Sequence, residues 1–133
     1  VGRGQGRGLL LPGNLTVATH LLGTPLLPDL TGVILAWEDV GEVPYRIDRM
    51  LTQWRSSGLL PLIRGIALGR FSRCEAPAQL PSLTLETVLR DRLGDLGIPI
   101  VGDLPFGHEG ANAVLPVGIE VCLDGEQGLL HFG

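Results

Sequence analysis

Two apolar periods alternate along the chain. Val33–Trp37, "VILAW", is an unbroken apolar run of strand length ending at the acidic pair Glu38-Asp39, the pattern of a strand buried on both faces. The next stretch, "VGEVPYRIDRMLTQWRSSG", changes period. Val43, Ile47, Met50, Leu51 and Trp54 recur at helical spacing, Pro44 suits a first turn, and Gly58 ends the helix. "LPLIRGIALGRF" then reads as a strand in which Gly65 and Gly69 mark bending or close approach. A second long helix starts at the cap Thr84, carries the stripe Leu85, Val88, Leu89, Leu93 and Leu96, and stops at Gly97.

The ends of the chain are read the same way. Residues 1–13 hold five glycines and little pattern, as an edge strand or a connection arriving from elsewhere would. In "GNLTVATHLLGTP", Asn14 or Thr16 caps a short helix that Gly23 and Pro25 stop. "IPIVGDLPF" reads as a strand leading to His108. "AVLPVGIEVCLD" and "GLLHF" read as two strands around the turn "DGEQG", with Ile119, Val121 and Leu123 on a buried face. The order is β-α-β-α-β-α-β-β-β. It predicts an α/β fold, a mixed, mostly parallel sheet with flanking helices and a C-terminal antiparallel hairpin, in one domain over residues 1–133.

Composition narrows the functional classes. With 133 residues the chain is long enough for one domain with its own core, and with few aromatics that core rests on Leu, Val and Ile. The net charge is −4, every basic residue is an arginine, and no basic run occurs, so nucleic acid is not an expected partner. No apolar run approaches the roughly 20 residues of a membrane helix, and the start shows no signal-peptide order. It also lacks a methionine, so a fragment or processed product is expected. Cys74 and Cys122 form no CxxC pair and His20, His108 and His131 are scattered, which argues against a zinc site; no metal or other cofactor is expected, and the two thiols are expected buried or half-buried.

Ligands of open α/β sheets gather at the carboxyl ends of parallel strands. Two such ends carry ionisable groups here: Glu38-Asp39, and His108 in "DLPFGHEGANAVLPVG". A carboxylate beside an imidazole fixes its tautomer and stabilises the imidazolium, the acid–base part of a nucleophile–His–acid triad. The plain alternatives are a hydrogen-bonding loop histidine and an acidic lead into the next helix. No Gly-x-Ser-x-Gly elbow is present and neither cysteine lies in a sharp turn, so the chain shows no nucleophile.

Four blocks in order, "GNLTVATHLLGTP", "VILAWEDVGEVPYRIDRMLTQW", "IRGIALGRFSRCE" and "IPIVGDLPFGHEGANAVLPVGIEVCLD", extend over nearly the whole chain. Through the E-D-x-x-E-x-x-Y-x-x-D-R-M-L block and the P-F-G-H loop, the chain resembles the C-terminal domain of the LD-carboxypeptidases. These are serine peptidases that include muramoyl-tetrapeptide carboxypeptidases and microcin C immunity proteins. The resemblance implies a three-layer β/β/α-like swivelling domain and a Ser–Glu–His triad. His108 is its histidine and Glu38 its glutamate, with Glu42 the rival; Glu38 is preferred because a strand fixes it, whereas Glu42 leads into a helix. The resemblance places the serine and the oxyanion donors in a separate N-terminal domain, so this chain alone is expected to be inactive. It further implies a murein tetrapeptide substrate cut before its terminal D-alanine, or a peptidyl-nucleotide in the immunity branch, and a cytoplasmic site of action.

Three expectations follow. Glu38 and His108 should lie at neighbouring strand ends within hydrogen-bond reach. Asp48 and Arg49 should make structural ion pairs or a domain contact. An uncovered apolar surface should favour a homodimer; a non-catalytic binding or assembly module is the competing reading.

Overall fold

The structure, a computed structural model, describes residues 2–132. Their elements are β1 (Gln5–Asn14), α1 (Leu15–His20), β2 (Ile34–Val40), α2 (Pro44–Ser56), β3 (Gly65–Ser72), α3 (Leu85–Leu93), β4 (Ile100–Val101), β5 (Glu120–Asp124) and β6 (Leu129–Phe132). The element order matches the one read from the sequence. A six-stranded sheet runs β4-β3-β2-β1-β5-β6; β1 to β4 pair in parallel, while β1–β5 and β5–β6 are antiparallel. No helix among the described residues is long and apolar enough to cross a membrane.

The glycine-rich start is neither an edge strand nor a simple connection. Residues Gln5–Leu9 pair with β5 and residues Leu10–Asn14 pair with β2, so β1 passes from the antiparallel half of the sheet into the parallel half. Its glycines have a steric reason. A Cβ on Gly2, Gly6 or Gly8 would strike the carbonyl oxygens of Ile98, Arg64 and Gly32 respectively, each lying one or two residues ahead of β4, β3 or β2. The incoming backbone therefore rides directly over the amino ends of the parallel strands, which only glycine permits.

The two faces of β2 and β3 have different cover. Leu35, Trp37, Ile66 and Leu68 meet the helices through Leu15, Ile47, Leu51, Trp54, Val88 and Leu93. Within that layer the rings of Trp37 and Trp54 lie 4.9 Å apart, tilted by 56°. The buried Trp54 Nε1–H donates to Thr19 Oγ1 at 3.0 Å, which satisfies a donor that would be costly to bury alone. On the other face, Ile34, Ala36 and Ala67 pack with Phe106, Val121 and Leu123, joined by the partly buried Leu104 and Leu115.

Local chemistry sets the element ends. Asn14 caps α1 by accepting from the Val17 N–H, so of the two candidate caps Asn14 is the one used. Thr84 caps α3 as its sequence indicates, but α3 closes at the C-cap Gly94, ahead of Gly97. "LPLIRGIALGRF" is only partly a strand, since Leu60–Leu62 forms a short 3-10 turn before β3. In "IPIVGDLPF" only Ile100 and Val101 are strand, and Ile119 stays outside β5 at 39% exposure. Asp48 of α2 pairs with Arg92 of α3, while Arg49 lies over the Tyr45 ring at 5.9 Å.

Candidate functional site: a carboxylate–imidazole pair on the sheet

Strand alternation decides which way each acidic residue of β2 faces. Ile34 and Ala36 belong to the face away from the helices, and Glu38 continues that parity. Asp39, 2% exposed, instead meets α1: its Oδ2 accepts from the Thr16 N–H at 2.9 Å and from Thr16 Oγ1 at 2.7 Å. The two consecutive carboxylates thus serve different layers.

His108 reaches Glu38 from a loop. Nδ1 of His108 lies 2.6 Å from Glu38 Oε2 across 70 residues of sequence. The expectation of neighbouring strand ends needs correction, because β3 lies between β2 and β4. After β4 the chain leaves the sheet plane and crosses over β3. Leu104 N–H donates to Leu68 O at 3.1 Å, and Arg70 N–H donates to Phe106 O at 2.8 Å. Apolar Leu104 and Phe106 face down into the second layer during this crossing, which is why the segment reads as a strand although it is none.

The crossing is held tightly. Gly69 makes room for Phe106, whose ring carbons would lie 2.5 Å from a Cβ there. Gly107 has φ 138°, a backbone shape that side chains resist. Its N–H donates to Asn112 Oδ1 at 3.1 Å, and Ala113 N–H donates to Pro105 O at 2.7 Å. The Arg70 guanidinium donates to Glu109 O at 2.7 Å and also to Ala111 O. Arg70 was not singled out in the sequence; an arginine on a strand carries no signal that its partners are loop carbonyls 39 and 41 residues away.

The pair sits differently with respect to solvent. The Glu38 side chain is 13% exposed and that of His108 49%. An ionised carboxylate only accepts, so Glu38 takes the Nδ1–H of His108 and leaves the Nε2 lone pair available as a base. Asn14 Nδ2 donates to Glu38 Oε1 at 3.2 Å. The pair borders a concavity of about 360 Å³ whose lining includes Pro12, Gly13, Asn14, Asn112, Ala113 and Leu115, with no serine, threonine or cysteine among the lining residues. Glu42 is not part of it. One of its carboxylate oxygens, buried without a hydrogen bond, lies 3.7 Å from Arg46 Nη1 at the start of α2. Both cysteines are free, Cys74 buried and Cys122 half-buried. Among the described residues no group of three His, Cys, Asp or Glu side chains is placed to hold a metal ion.

Known proteins resemble this chain over most of its length. The family model of the LD-carboxypeptidase C-terminal domain matches residues 7–123. The chain is 67% identical over 130 residues to a putative carboxypeptidase of Synechocystis sp., a match that covers 98% of the chain and 43% of that protein. Against the murein tetrapeptide carboxypeptidase of Pseudomonas aeruginosa it is 34% identical over 121 residues, with 90% of the chain and 39% of that protein covered. The crystal structure of muramoyltetrapeptide carboxypeptidase from Oxalobacter formigenes superposes with a TM-score of 0.85 at 38% identity, covering 96% of this chain and 45% of that one. The chain therefore spans less than half the length of each of these relatives, and it belongs to the LD-carboxypeptidase family, within which it is the C-terminal domain.

Proposed function

We propose that this chain is the base-bearing half of a serine LD-carboxypeptidase acting on murein tetrapeptide, with His108 as general base and Glu38 as the acid that orients it. The observation that carries the reading is the 2.6 Å contact between His108 Nδ1 and Glu38 Oε2 on the rim of an open concavity. The nucleophile comes from the serine-bearing N-terminal domain, the part of its longer relatives that this chain does not match. The serine hydroxyl attacks the amide carbonyl that precedes the terminal D-alanine, and Nε2 of His108 takes its proton. Glu38 stabilises the imidazolium that forms. His108 then protonates the departing amine, D-alanine leaves, and water attacks the acyl-enzyme with His108 again removing the proton. The name of the Pseudomonas relative supports the murein substrate. Recycling of cell-wall peptides in the cytoplasm is the setting that goes with this reaction.

Trans-complementation tests the reading. Mixed with a serine-bearing N-terminal domain, the chain should release D-alanine from murein tetrapeptide, and His108→Ala should remove that activity while leaving the fold intact. Tight association without hydrolysis would point instead to an assembly module. Cleavage of a peptidyl-nucleotide in preference to tetrapeptide would move the substrate to the immunity branch.

A further inference from the structure

We infer that Asn14 is the positioning residue of Glu38: it transfers the rigidity of the α1 cap to the carboxylate that orients His108. This rests on the reading of Glu38 and His108 as acid and base. The two residues face each other in register where β1 and β2 end their pairing. Every polar atom of the Asn14 side chain has an assigned use. Oδ1 accepts from the Val17 N–H at 3.0 Å, and this bond fixes the amide's orientation because only the oxygen can accept there. Nδ2 must then point the other way, and it donates at 3.2 Å both to Glu38 Oε1 and to Asp39 Oδ1.

Asp39 locks this arrangement from the helix side. It is buried, and besides Asn14 it accepts from the Thr16 N–H, from Thr16 Oγ1 and from its own neighbour's Val40 N–H at 2.8 Å. A carboxylate with that many donors cannot turn without breaking several of these bonds at once. Asn14 is therefore clamped on both sides, and its free N–H holds one oxygen of Glu38 while the other oxygen holds His108. The half-exposed imidazole acquires a fixed direction from a chain of bonds that begins in the first turn of α1. A helix cap alone would need none of this, since serine, aspartate and asparagine cap about equally well.

That equivalence supplies the test. Asn14→Ser keeps a capping oxygen but is too short to reach Glu38. Asn14→Asp keeps the cap and replaces the donor with an acceptor facing two carboxylates. The readout is the ring nitrogen-15 spectrum of His108 in the chain itself, at a pH where the imidazole is neutral. The wild type should show the Nδ1–H tautomer; both variants should lose it toward the mixture of an unrestrained imidazole, with helix content unchanged. In the complemented enzyme kcat should fall about 10- to 100-fold with KM held. Retention of the wild-type tautomer and kcat in both variants would overturn the inference. So would a rise in KM alone, which would make Asn14 a substrate contact. A wild type without the Nδ1–H signature would overturn the acid–base reading itself, and this inference with it.

Discussion

Gly69 and Phe106 occupy one site between them: the Phe106 ring fills the space in which a side chain at position 69 would begin. Phe106 is buried at 5% exposure and stands two residues before His108, so whatever moves the ring moves His108. Gly69→Ala should therefore lower the activity of the complemented enzyme more than it lowers stability. Overpacking of this kind costs about 1–3 kcal/mol, readable by denaturant unfolding, whereas displacement of His108 from Glu38 should cost roughly 100-fold in kcat. An alanine variant with full activity would show that the crossing loop does not need its seat on β3.

Arg70 should matter to the same loop through its two carbonyl partners, Glu109 and Ala111. For Arg70→Ala we expect faster amide hydrogen exchange over residues 107–113, and a kcat loss on the order of ten-fold. Arg70→Lys should recover only part of this, because an ammonium lacks the planar fork that spans two acceptors. Unchanged exchange in the alanine variant would count against the anchoring role.

Asp124 gives the molecule an acid-sensitive element. The Gln127 N–H, then the Gln5 side chain, which donates at 2.7 Å, hold its carboxyl below the usual aspartate value. A carboxyl lowered by folding stabilises the native state fully above its unfolded value near about 3.9, and that contribution is lost as pH falls through the lower folded value. The advantage of the wild type over Asp124→Asn should thus be constant near neutrality and shrink on acidification below about pH 4. Thermal unfolding at stepped pH measures it; a constant difference down to the acid limit would contradict the assignment.

The two thiols should react at different rates. Burial pushes the Cys74 thiol up, and its Sγ–H is directed to Ser72 O at 3.4 Å. Cys122 is half-buried on β5. Alkylation of the native protein, followed by mass spectrometry, should label Cys122 ahead of Cys74 by on the order of ten-fold or more. Equal rates would mean that the Cys74 layer opens readily.

The order of elements was legible because the chain switches cleanly between periods, as at Val33–Trp37 and Val43–Trp54. Pairing Glu38 with His108 was legible through the resemblance, although the neighbouring strand ends expected for the pair are separated by β3. Two things were not. The segment after β4 is apolar because Leu104 and Phe106 cover the second layer, and burial under a sheet leaves the same signal as burial within one. The bracing of the site was hidden for a different reason. Asn14 and Arg70 are polar residues on strands whose partners lie 24 to 41 positions away, and periodicity carries no information about such bonds. The glycines Gly2, ahead of β1, and Gly6 and Gly8, within it, were visible, but their steric reason was not until the backbones they separate were seen together.

That glycine crossing gives the molecule a direction. At the amino ends of β2, β3 and β4 the chain's own main chain lies in contact, so any side chain added there meets backbone. The carboxyl ends hold Glu38, the loop of His108 and the open concavity. The fold is closed at its floor and open at its rim, so the proposed serine-bearing domain has one end of the sheet at which to arrive.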